Sequence, residues 1–74
     1  MHVHHLKSPT LRSYVFSNDQ RDVALDIAWL FLDSHRFYKL QVDDDSNCIL
    51  TYGVQDMGFF YKSLENHQHT LRPL

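Results

Sequence analysis

The chain has 74 residues, 43% of them hydrophobic and 14% aromatic, with a formal net charge of −2 when its six histidines are neutral. That is room for one domain with a modest core, because so short a chain buries only about 60% of the surface its unfolded form exposes. The apolar content excludes a disordered chain, the weak acidity argues against sequence-independent binding to phosphate backbones, and the lone Cys48 excludes an internal disulfide framework or a zinc-type cysteine pair.

A reducing, cytoplasmic setting is therefore expected. Residues 1–7 lack the apolar run of a secretory signal. The longest apolar stretch, residues 23–32, is interrupted by Asp26 and is too short to span a bilayer. Protonating all six histidines would carry the formal charge from −2 to +4, so electrostatic behaviour should change between pH 7 and 5.

In chain order, residues 1–10 read as a mobile arm, with Pro9 discouraging helix. Residues 11–69 form the expected single α+β domain, and residues 70–74 a frayed tail. Residues 11–16 combine β-branched and aromatic side chains and predict a first strand. Ser17 followed by Gln20 fits a capping box, with Asp19 and Asp22 in the first turn, where the helix dipole favours negative charge. A helix free of Gly and Pro should then run to about Ser34 or His35.

Residues 36–42 predict a second strand, with Tyr38, Leu40 and Val42 on one face and Phe37, Lys39 and Gln41 on the other. Asp43, Asp44, Asp45, Ser46 and Asn47 make a polar turn. Residues 48–54 return as a third strand with Cys48, Leu50, Tyr52 and Val54 on one face, closing a hairpin. Met57, Phe60, Tyr61 and Leu64 then recur at helical spacing behind Asp56 as a possible N-cap. Strand propensity in residues 59–62 competes, and helix is favoured. The expected architecture is β-α-β-β-α: one long helix on a three- to four-stranded antiparallel sheet, completed by a C-terminal helix or strand.

A helical wheel divides the first helix into three groups. Val23, Ala24, Ile27, Ala28, Leu30 and Phe31 form a broad face for the sheet. Asp22, Asp26 and Asp33 form an acidic wedge. Leu25, Trp29 and Leu32, at i, i+4 and i+7, make a second apolar stripe that one sheet has no need of. Full burial of three such side chains contributes about 1.5–3 kcal/mol each, so something should cover them. The candidates are the chain's own ends, a second copy, or a foreign partner anchored on Trp29, a residue type enriched in binding hot spots.

The chemistry-bearing clusters are weaker. His2, His4 and His5 gather at one end and His67 and His69 at the other, but both fall where mobility is expected, and a metal site needs ligands held on a framework. His35, near the helix end, answers the C-terminal dipole. Asp43, Asp45 and Asn47 match the first ligand positions of a calcium loop, yet Cys48 stands where that loop needs glycine and Val54 where it needs glutamate. Cys48 has no neighbour that would activate it as a nucleophile. No phosphate-binding glycine loop or paired-carboxylate motif is present.

Arg36, Phe37, Tyr38 and Lys39, with Lys62 after Phe59, Phe60 and Tyr61, could form an aromatic, basic platform for single-stranded nucleic acid. The leading expectation is instead a non-catalytic, cofactor-free interaction module, an adaptor or inhibitor that occupies a surface of a larger protein. Small proteins of this kind include ones encoded on phages and mobile elements. Its contact residues would be Leu25, Trp29 and Leu32, with Asp22, Asp26 and Asp33 as a rim selecting a basic partner. The alternatives are a homodimer through the same stripe and the nucleic-acid platform; a membrane partner is not expected.

Overall fold

The computed structural model describes residues 10–70, with side chains through residue 67. The expected N-terminal arm and the tail thus fall outside the described residues, apart from Thr10 and the backbone of Thr70. So do His2, His4 and His5, and the side chain of His69. The elements follow the predicted order: β1 (Leu11–Phe16), α1 (Arg21–Asp33), β2 (Tyr38–Val42), β3 (Cys48–Gly53) and α2 (Met57–Thr70), with short 3-10 turns at Asn18–Gln20 and Val54–Asp56.

The sheet order is β1-β3-β2, and both outer strands run antiparallel to β3. β1 and β2 are consequently parallel to each other, joined by α1 as a crossover, with β3 inserted between them. Register places Phe16 beside Cys48 and Val42, and Tyr14 beside Leu50 and Leu40. Side chains alternate across a strand, so one face carries these residues with Tyr38 and Tyr52 and is covered by the helices. The other face, with Ser13, Val15, Lys39, Gln41, Ile49 and Thr51, is open among the described residues, and the Ser13 and Thr51 hydroxyls hydrogen-bond across it at 2.9 Å.

α1 touches all three strands, chiefly β2 and β3. Val23, Ala24, Ile27, Ala28 and Phe31 are buried against Leu50 and Tyr52, as helical spacing predicts. Leu30, expected on that face, is instead exposed, because it lies on the flank where α2 arrives and lines the groove between the helices. Phe60 anchors α2. It is fully buried, stacks on Tyr52 with ring centroids 4.5 Å apart, and meets Tyr14 at 5.2 Å and Phe16 at 6.3 Å. α2 therefore lies over the β1 side of the sheet and α1 over the β2 side.

Several local expectations change. Ser17 makes no capping bond; its hydroxyl donates to the Asp19 carboxylate, and Gln20 closes the 3-10 turn through its backbone N–H on the Ser17 carbonyl. The second strand starts at Tyr38, two residues late, because α1 ends in a Schellman motif that takes up the intervening chain. The Arg36 N–H donates to the Phe31 carbonyl and the His35 N–H to Leu32, with His35 in the left-handed region at φ 58°. The third strand stops at Gly53, one residue early. Val54 opens a 3-10 turn while its N–H donates to the Thr10 carbonyl.

Candidate interaction surface

α1 presents its stripe to solvent. Trp29 is 64% exposed and Leu25 and Leu32 are each 50% exposed. The opposite flank of α1 is occupied, because α2 seats there. His67 Nε2 lies 2.8 Å from Asp26 Oδ2, and Leu30 and Ser34 face Phe59, Lys62, Ser63 and Asn66 across a groove of about 330 Å³. Stepping round the helix from that flank, through the acidic wedge, reaches Trp29 and then Leu25 and Leu32. The stripe thus overhangs β2, an edge strand. Val42, on the helix side of β2, is 58% exposed and continues the apolar surface downward.

Asp22, Asp26 and Asp33 are all exposed, as a rim requires, but Asp26 already has a partner in His67. That imidazole is nearly covered, and its Nδ1 is buried without a hydrogen-bond partner among the described residues. Sequence reasoning treated His67 as half of a terminal metal-binding pair; in the structure it clasps α2 to α1. Among the described residues no three His, Cys, Asp or Glu side chains converge as a metal would need. No helix among those residues is long and apolar enough to cross a membrane.

The other candidates are drawn into the architecture. Asp43 Oδ1 accepts the backbone N–H groups of Asp45 at 2.8 Å and Asn47 at 2.9 Å, which closes the hairpin turn with Ser46 at φ 67°. The Asn47 N–H above all, then that of Asp45, holds the Asp43 carboxyl below its ordinary pKa by stabilising the charged form, against the opposing effect of burial. Cys48 is buried in the core beside Phe16. Tyr14, Tyr38 and Tyr52 lie on the helix-covered face, so the strands offer no aromatic to the open face. Phe37, exposed just before β2, is separate from them.

One constellation was missed. Arg36 Nη1 donates to Asp56 Oδ1 at 2.5 Å, and its guanidinium lies 4.2 Å above the Phe59 ring. Asp56, the possible N-cap that directly precedes α2, is a buried carboxylate that ties the start of α2 to the end of the α1–β2 connection. A sequence signal existed only in retrospect: a lone Asp at a helix start and an Arg before a strand, twenty residues apart. Compared with protein-family models, with curated proteins and with solved structures, the chain matches none.

Proposed function

We propose that this protein is a non-catalytic interaction module that acts by contact with another protein through the stripe of α1. Occupying a partner's surface, as an adaptor or inhibitor does, is the kind of activity such a face supports. The observation that carries the reading is the exposure of Leu25, Trp29 and Leu32 on a helix whose sheet-facing side is buried in its own core and whose far flank is engaged by α2. Leaving three large apolar side chains in water favours aggregation, and adjoining exposed apolar residues of this kind mark binding surfaces. Trp29 supplies a rigid aromatic anchor, and Asp22 and Asp33 beside it favour a basic or polar surround.

The test is Trp29→Asp in protein verified as folded by circular dichroism. The substitution should leave the fold intact, because the side chain is mostly in solvent, and should abolish the contact. Collapse of the fold would identify the stripe as core. Stripe-mediated binding should also tolerate added salt, whereas binding to nucleic acid would weaken steeply with salt and with Lys39→Glu.

A further inference from the structure

We infer that the occupant of the stripe is a cationic segment of a partner protein, one that sets apolar anchors beside lysine or arginine side chains. The inference rests on the stripe being a protein-binding surface and names the chemistry of what it takes. What points to this occupant is where the fold gathers charge.

Register puts Phe16, Cys48 and Val42 side by side at one end of the sheet. Two connections leave from that end: residues 17–20, which lead into α1, and the hairpin turn of residues 43–47. Asp19 and Asp22 are thereby brought to the same pole as Asp43, Asp44 and Asp45, although the two groups are far apart in sequence. Arg21 is the one basic side chain there among the described residues, and it donates to Asn18 Oδ1 at 3.1 Å. The other cations lie toward the opposite pole. Arg12 stands beside Tyr52 and Lys39 beside Thr51 in register, Arg36 is bonded to Asp56, and Lys62 faces Leu30 and Ser34.

The carboxylates continue from the acidic pole along α1. Asp26 and Asp33 stand one turn before and one turn after Trp29, at i−3 and i+4, and Asp22 two turns before it. An indole 64% exposed thus has acidic groups along one side and no cation over its face among the described residues. Asp26 shares its carboxylate with His67, whereas Asp22, Asp33, Asp44 and Asp45 have no ion pair among the described residues. On the other side of Trp29, Leu25 and Leu32 lead down to Val42, which borders the acidic turn.

An aromatic face attracts a cation through its quadrupole, and a neighbouring carboxylate adds a charge partner. A Lys or Arg laid on Trp29 meets both, while apolar side chains next to it in the partner cover Leu25, Leu32 and Val42. Clustered carboxylates repel one another in the free protein, and a cationic partner relieves that repulsion on contact. Phosphate backbones and acidic protein surfaces meet like charge here instead.

The test uses two synthetic amphipathic helical peptides that share a leucine face and differ only in carrying lysine or glutamate on the other, titrated into the full chain. Trp29, the only tryptophan, reports contact through its emission. Expected are binding of the lysine peptide with a blue shift, and binding of the glutamate peptide weaker by about tenfold or more. Asp22→Asn/Asp33→Asn, which alters two exposed carboxylates, should narrow that preference in a folded protein, and Leu25→Ser should weaken binding of the lysine peptide. Added salt should narrow the preference more than it weakens the contact, since burial supplies the affinity and charge the selection. Equal binding of the two peptides, or a preference for glutamate, would overturn the inference and leave the stripe as a surface for partners of other chemistry. Lysine-peptide binding that leaves the Trp29 emission unmoved, or that ignores Leu25→Ser, would overturn it as well, because the acidic pole would then act apart from the stripe. If neither peptide binds, the inference fails and acrylamide quenching of Trp29 decides the broader reading. An accessible indole keeps the stripe open to a partner; a protected one shows it already covered and removes that reading too.

Discussion

Arg36→Ala should cost the fold more than a half-exposed arginine usually does. Asp56, its partner, has a side chain only 8% exposed, while the arginine side chain is 39% exposed. Breaking a fully buried pair costs about 3–5 kcal/mol, because it strands a charge in low dielectric. An exposed pair contributes about 0–1 kcal/mol. One member here is buried and the other reaches water, which places the loss between these limits, at about 2 kcal/mol. Losing the guanidinium from above Phe59, 4.2 Å from the ring centroid, adds about 0.5–1 kcal/mol. The total is a large fraction of the roughly 4–11 kcal/mol that holds a chain of this length together. Asp56→Ala removes the buried charge itself and, with it, the favourable carboxylate beside the N-terminus of α2, worth about 0.3–1 kcal/mol. Urea denaturation of the two single variants and the double variant, followed by far-ultraviolet circular dichroism, closes the cycle. The double variant should be less destabilised than the summed singles by about 1 kcal/mol or more. A coupling indistinguishable from zero would mean that water already solvates Asp56, and would refute the argument.

Two further outcomes follow from the backbone and from the core. His35 holds a left-handed φ with a Cβ, while Gly58 sits in α2 with nothing within 4 Å of where a Cβ would stand. His35→Gly and Gly58→Ala should therefore each stabilise the protein by about 0.5–1 kcal/mol in the same denaturation assay. Burial first, and then the adjacent Tyr61 by its charge and its hydrogen bond, push the Tyr52 phenol from 10.0 up to about 12. The folded state thus holds that proton more tightly than the unfolded state, so this contribution is whole below pH 10 and disappears as pH rises through about 12. Melting temperatures measured across that interval should fall, and Tyr52→Phe should lessen the fall; an unchanged alkaline profile in Tyr52→Phe would assign the loss to other groups.

Periodicity made much of the fold readable. The alternation in residues 11–16 and 48–53 and the 3.6-residue pattern of α1 each report a single buried face, and each element lies within a residue or two of its expected position, except that the first helix opens as a 3-10 turn at Asn18–Gln20 and turns α-helical only at Arg21. α2 was ambiguous because Phe59, Phe60 and Tyr61 suit a strand as well as a helix. The choice is made by tertiary packing, since only a helix places Phe60 on Tyr52 and Phe59 against Phe31 together. Leu30 could not be assigned from the wheel. It sits at the margin of the core face, and whether such a residue is covered depends on where a later helix docks. Arg36–Asp56 and Asp26–His67 are likewise products of that docking, joining residues whose separation in sequence carries no signal.

The stripe illustrates the same division between what spacing records and what topology decides. Spacing alone places Leu25, Trp29 and Leu32 on one side of α1, but it is silent on what lies beneath that side. Had β3 formed the sheet edge next to β2, as a simple hairpin at the end of the chain would, α1 could have packed over interior strands and α2 could have closed over the stripe. Insertion of β3 between β1 and β2 leaves β2 at the edge. Phe60, fixed among Tyr14, Phe16 and Tyr52, holds α2 on the far side of α1. The aromatic cluster that completes the core is therefore also the reason the stripe stays open, and substitutions that loosen Phe60 should disturb the proposed contact surface without touching it.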